Sequence, residues 1–208
     1  MGRPVPVMEQ VMATVAPARS KNAPRIHRIT VDEYDRIGDS GALEHPHRIE
    51  LIDGYLVDKM PKNPGHSYSC TEALAGVGSR LPSGWFPRAE QPIRIPDFDE
   101  PEPDISILRE PRSDYRRRHP TPADVAMLIE VSDSSLAQDR GIKRTVYARA
   151  GIAVYWIINL VERQVEVYSR PTKDGRYRSR KDFKPGQSVP IAIEGQELPP
   201  IPVDDLLP

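Results

Sequence analysis

Residues 125–132, Val-Ala-Met-Leu-Ile-Glu-Val-Ser, form an apolar run broken by one carboxylate, Glu130. A run of this length, rich in aliphatic residues and followed by a polar loop, reads as a central strand covered on both faces. Glu130 then lies in or beside a dry interior, where an ionised carboxylate left alone is disfavoured by several kcal/mol. It therefore requires a cation, a metal or a hydrogen-bonded partner, which has to come from elsewhere in the chain.

The flanking sequence supplies the frame. Ser132-Asp-Ser-Ser135 offers caps for a helix over residues 136–150, closed by Gly151, and residues 153–160 form a second apolar run. Two such runs joined by a helix make a βαβ-like unit, so the two strands are expected to be parallel neighbours. Thr30-Val-Asp-Glu33 has the spacing of a capping box that opens a short helix to about residue 37. Asp53-Gly54 is a tight-turn signal between strands over 47–52 and 55–60, and Asp174-Gly175 marks a second hairpin between 164–170 and 176–183. Tyr68, Leu74, Val77 and Leu81 recur at helical spacing, which predicts a helix over 66–81. Strands are expected over 85–95 and 103–108, followed by a long Arg/Pro-rich connection over 109–122. The sum is a mixed α+β fold: a central mixed sheet flanked by helices, with β-hairpins towards both ends. The 23 prolines cluster near the N-terminus, between 82 and 122 and over 198–208, which read as arms and loops. Residues 1–27 are expected to be a flexible arm and 28–208 one domain.

Lys and Arg number 29 against 30 Asp and Glu, a net charge of −1, so no global field advertises a polyanion partner. The single cysteine, Cys70, forms no internal disulfide, and no signal-peptide profile or membrane-length apolar run is present. A soluble, cytoplasmic protein without membrane contact is the expectation.

The carboxylates converge on paper. Asp104 opens one strand and Glu130 ends another, so pairing of those strands would join the two acids. Asp139 and Lys143 share a helix face at i and i+4, and that helix leaves the end of the Glu130 strand, so Lys143 can point back over the acids. Glu50 lies between apolar neighbours on the first hairpin. Each has a plainer reading: Asp139 and Lys143 as a surface ion pair, Glu50 as a cross-strand partner of Lys59 or Arg48, Asp104 as the start of a strand. Glu130 resists one, because its neighbours on both sides are apolar. Two carboxylates would also serve a glycosidase, but that chemistry gives Lys143 no task. Arg116, Arg117 and Arg118 could track a phosphate backbone or simply occupy a solvated loop. Cys70 reads as a small core residue rather than a nucleophile.

Asp104 followed by Glu130-Val-Ser132 resembles the PD-(D/E)XK nuclease superfamily. The wider string resembles the Uma family, described as putative restriction endonucleases: Arg48-Ile-Glu-Leu-Ile-Asp-Gly54, His66, Pro103-Asp104, Asp139 with Lys143 and Tyr147, and 151–159. The resemblance implies a restriction-endonuclease-like core and a homodimer that cleaves DNA with Mg²⁺ or Mn²⁺. Asp104, Glu130 and the Val131 carbonyl would hold the ion, with Glu50 and Lys143 completing a catalytic set and His66 touching the substrate. The superfamily's lysine, two positions after the second acid, is Ser132 here; the resemblance implies that it has migrated to Lys143. The alternative is a catalytically inactive dimer of the same fold that binds nucleic acid or protein.

Overall fold

The computed structural model describes residues 26–208. Of the arm expected over 1–27, all but the last two positions lie outside this range. The described chain begins with α1 (Val31–Asp39), a hairpin of β1 (Ile49–Ile52) and β2 (Tyr55–Asp58), and α2 (Pro64–Gly78). Then come β3 (Trp85–Ala89), β4 (Ile105–Arg109) and β5 (Val125–Ser132). The crossover holds α3 (Leu136–Gln138) and α4 (Arg144–Arg149) and leads to β6 (Val154–Asn159), β7 (Gln164–Thr172) and β8 (Arg176–Phe183). A last hairpin pairs β9 (Ser188–Ile193) with β10 (Gln196–Pro202).

The sheet runs in the order β3-β4-β5-β6-β7-β8. Only β5 and β6 are parallel, in register from Met127 opposite Val154 to Ser132 opposite Asn159, as the two apolar runs require. β4 lies antiparallel to β5 with Ile105 opposite Ile129. Alternation along β5 sends Met127, Ile129 and Val131 to one face, against Ala73 and Val77 of α2 and the β9–β10 hairpin. Leu128 goes to the other, with Val146 and Tyr147 of α4. Glu130 and Ser132 have the parity of Leu128, so both point toward the crossover helix.

Three elements differ from expectation. The strand expected over 85–95 stops at Ala89, because Glu90 takes a positive φ of 52° that ends pairing. The following Pro-rich segment instead folds across the hairpin, where the Glu100 amide donates to the Leu51 carbonyl at 2.8 Å. The helix expected over 136–150 is present but carries a wide π-turn at Asp139–Lys143. Residues 198–208, expected as loop, begin with the end of a strand. Val189, Ile191 and Ile193 of β9 and Ile201 of β10 are buried in this hairpin, at about 1.5–3 kcal/mol each. That outweighs the few ladder bonds, about 1 kcal/mol each, that prolines remove. The prolines are tolerated because a two-stranded ribbon has open edges, and the register shifts between Leu198 and Ile201 where Pro199 and Pro200 fall.

Asp53-Gly54 forms the expected tight turn, with positive φ at both residues, 50° and 78°. A Cβ on Gly54 would also lie 2.6 Å from Arg28 Cβ, so glycine is required twice over.

Candidate active site

β4 and β5 run side by side, so Asp104, just before β4, and Glu130, near the end of β5, meet at the same end of the sheet. The Asp104 amide donates to Glu130 Oε2 at 3.3 Å, and Asp104 Oδ2 accepts from the Val131 amide at 2.8 Å. The amide and carbonyl of one strand residue leave by the same edge, so the Val131 carbonyl also lies on the Asp104 side. Glu50 arrives from β1, where its Oε2 accepts from the Glu102 amide at 3.0 Å and its Oε1 from Gln138 Nε2 at 3.1 Å.

Lys143 joins these acids. Its Nζ lies 3.1 Å from Glu130 Oε1 and 3.2 Å from Glu50 Oε1. One turn on, the Tyr147 hydroxyl donates to Glu130 Oε1 at 2.8 Å. Asp139 does not form the surface pair with Lys143 that helical spacing allowed. Both residues are buried, and Asp139 Oδ2 accepts from the Ser132 and Ser135 hydroxyls at 2.7 and 2.6 Å. The π-turn is the physical reason: one extra residue in the turn rotates Lys143 inward. Ser132, which stands where the superfamily has lysine, thus holds Asp139. Glu50 likewise does not pair with Lys59, whose ammonium goes to Glu102 at 2.7 Å.

The electrostatics follow from burial. Glu50, Glu130 and Asp104 are 1%, 3% and 8% exposed. Desolvation pushes the Glu130 carboxyl well above its usual range, with Lys143 opposing. Burial also works against the charge of Lys143, but Glu130, Glu50 and Asp139 outweigh it and the ammonium holds its proton more tightly than a free lysine. Asp139 is raised by burial. Asp104 is the exception: burial opposes its charge, but bonds from His66 and the Val131 amide, with Lys62 nearby, bring its pKa to about 2.

These groups line an open cleft of about 370 Å³, with Lys62, His66, Glu90 and Glu102 at its walls. Lys62 Nζ lies 3.2 Å from Asp104 Oδ1, and His66 Nε2 is 3.3 Å from Asp104 Oδ2. The structure thus brings together Glu50, Asp104, Glu130, Val131, Lys143 and His66. Arg116, Arg117 and Arg118 do not line this cleft. Arg118 instead pairs with Asp124 at 2.6 Å and stacks on Tyr115. Sequence reading gave no role to Lys62 or Gln138, and none to Tyr147 beyond its place in the string. The one signal for Tyr147 was its position, four residues after Lys143.

Comparison with known proteins places the chain. Residues 31–200 match the model of the Uma2 family, described as "Putative restriction endonuclease". Among curated proteins, none matches. The fold resembles the crystal structure of a protein from Anabaena variabilis described as a putative nuclease belonging to DUF820. The TM-score is 0.63 at 21% identity, covering 86% of this chain and 97% of that one. At that identity the likeness speaks to the fold. With 170 of 208 residues matched by the family model, the chain belongs to the Uma2 family of restriction endonuclease-like proteins.

Proposed function

We propose that this protein is a divalent-cation-dependent nuclease that hydrolyses DNA phosphodiester bonds, with Glu50, Asp104, Glu130 and Lys143 as its catalytic set. One observation carries the reading: carboxylates from three separate elements converge with a buried amine at the wall of an open cleft. Glu50, Asp104, Glu130 and Asp139 bring four acidic groups around one buried ammonium, with Lys62 at the rim. Such an excess of buried acid is balanced either by protons or by a bound cation.

The donor set suits a hard ion. Asp104 and Glu130 oxygens with the Val131 carbonyl are the ligand types that Mg²⁺ and Mn²⁺ prefer. Bound there, such an ion would supply a hydroxide nucleophile and neutralise charge on the phosphate. The chain's own groups do the remainder. Lys143, held by two carboxylates, donates hydrogen bonds to the attacking water or to a phosphate oxygen as negative charge grows on it. Glu50, fixed by the Glu102 amide and Gln138, orients that water. Lys62 and His66 lie at the wall where the strand would enter and meet its phosphates. A homodimer, as the family resemblance implies, would suit cleavage of both strands; light scattering at twice the monomer mass would support it. A cytoplasmic setting belongs to the same proposal.

A second reading has an observation in its favour. Lys143 sits between Glu50 and Glu130, and Lys62 reaches Asp104, so the acids have partners without any ion. An inert member of the fold that binds nucleic acid or protein would look the same.

Incubation with supercoiled and single-stranded DNA, with Mg²⁺ or Mn²⁺ and with chelator, separates the two. Cleavage that requires the ion and falls by at least about 100-fold in Glu130→Ala and Lys143→Ala supports the nuclease. Full activity in either variant overturns the catalytic set, and no cleavage of any DNA with no heat of Mn²⁺ binding supports the inert protein.

A further inference from the structure

His66 and Cys70 are one turn apart on α2, and both face Asp104. His66 Nδ1 lies 3.5 Å from Cys70 Sγ and Nε2 lies 3.3 Å from Asp104 Oδ2. One ligand atom from each of the three side chains falls within 4.8 Å of the others. The first turn of α2 is fixed, because Asn63 accepts from the His66 amide at 2.9 Å, so the pair on the helix is held in place. His66 is 9% exposed and borders the cleft, whereas Cys70 lies behind it, half-buried.

This donor set differs in kind from the oxygens of Glu130 and Val131. Mg²⁺ and Ca²⁺ take oxygen ligands, whereas a thiolate, an imidazole and a carboxylate together suit Zn²⁺ and its first-row neighbours. Three protein ligands with a fourth position open to a cleft is how zinc sites that also hold water or substrate are built. The charges balance as well: a divalent ion, a thiolate and the Asp104 carboxylate sum to zero, which a half-buried site tolerates better than a net charge.

We propose that His66, Cys70 and Asp104 form a thiophilic cation site of the zinc class, adjoining the all-oxygen site and joined to it through Asp104. The present contacts use both ring nitrogens, one toward sulfur and one toward oxygen. On binding, one ring nitrogen turns to the ion, the sulfur bonds to it, and the thiol proton leaves to solvent. The site stands whether or not the cleft cuts DNA.

Cobalt(II) titration of the full-length, metal-stripped protein reads the sulfur directly. One equivalent of Co²⁺ should produce a thiolate-to-cobalt charge-transfer band in the near ultraviolet, which equimolar Zn²⁺ abolishes. Cys70→Ser should lose the band and bind Zn²⁺ at least ~10-fold more weakly, the loss that removal of even an outer partner of a ligand brings. Should circular dichroism show that Cys70→Ser is unfolded, His66→Gln serves instead. It keeps the thiol and should show the same drop in Zn²⁺ affinity. No sulfur band in the wild type at saturating Co²⁺, or an unchanged spectrum and affinity in the folded variant, overturns the proposal. The titration contains no substrate: a protein that shows the band but cuts nothing keeps this site and loses the nuclease reading, and a nuclease without the band does the reverse.

Discussion

Lys143 is 6% exposed and shares its ammonium between Glu50 and Glu130, so it matters for stability as well as chemistry. Removing one partner of a buried pair leaves an uncompensated charge, and Lys143→Met should lower stability by about 3–5 kcal/mol near pH 8. The loss should shrink toward acid pH, because Glu130, already pushed upward by burial, then takes a proton and no longer needs the amine. Adding Glu130→Gln should restore much of it, and additive effects in chemical denaturation would contradict the pairing. Asp124 has the opposite sign. Arg118 holds its carboxyl low, helped by the Thr121 amide, at a pKa of about 2. A depressed carboxyl stabilises above its unfolded pKa and loses that contribution as pH falls through the folded one. Asp124→Ala should therefore cost about 1 kcal/mol at pH 7, with the gap to wild type closing between about pH 4 and 2. A gap that stays constant in acid urea titrations would refute the assignment. Glu130 was legible because its neighbours are apolar. The inward turn of Lys143 was not, since spacing at i and i+4 fits a surface pair equally well.

Arg140, in the π-turn, anchors the element that carries Lys143. Its guanidinium donates to Glu166, which is fully buried on β7, and to Glu162 at 2.7 Å. Glu166 also accepts from Asn159 at 2.8 Å and from the Tyr168 hydroxyl at 2.7 Å. The clamp ties the turn to β7, on the same face of the sheet and two strands from β5, and so braces the element that carries Lys143. Arg140→Ala should lower stability by about 2–3 kcal/mol. It should also reduce kcat more than it raises KM, because the amine is misplaced while the strand-binding wall is untouched. A variant with lowered stability but wild-type kcat would show that the clamp is only structural. Hairpins and the parallel pair were legible because turn residues and apolar runs encode them locally. The π-turn was not, because the groups that Arg140 of the turn bonds, Glu166 and Glu162, lie far along the chain. The β9–β10 hairpin was hidden by its prolines, whose tolerance depends on an open edge that only the tertiary arrangement supplies.

Across the whole molecule, a net charge of −1 conceals a local concentration of acid at one end of the sheet. β1, the segment before β4, and β5 each deliver one carboxylate, so the site exists only when the sheet and the first hairpin are docked together. A cation there should act as a cross-brace. Mn²⁺ at about 100 times its Kd should add about 2.7 kcal/mol, or roughly 5–10 °C in Tm, and Asp104→Asn should erase the gain. An equal Mn²⁺ shift in Asp104→Asn would place the ion elsewhere. The most direct measurement is an anomalous difference map from a crystal soaked in Mn²⁺. The expected result is a peak about 2.0–2.3 Å from carboxylate oxygens of both Asp104 and Glu130, with the Val131 carbonyl in the same shell. A map with no peak at saturating Mn²⁺, or with the ion bound away from these two acids, would contradict the metal-dependent site.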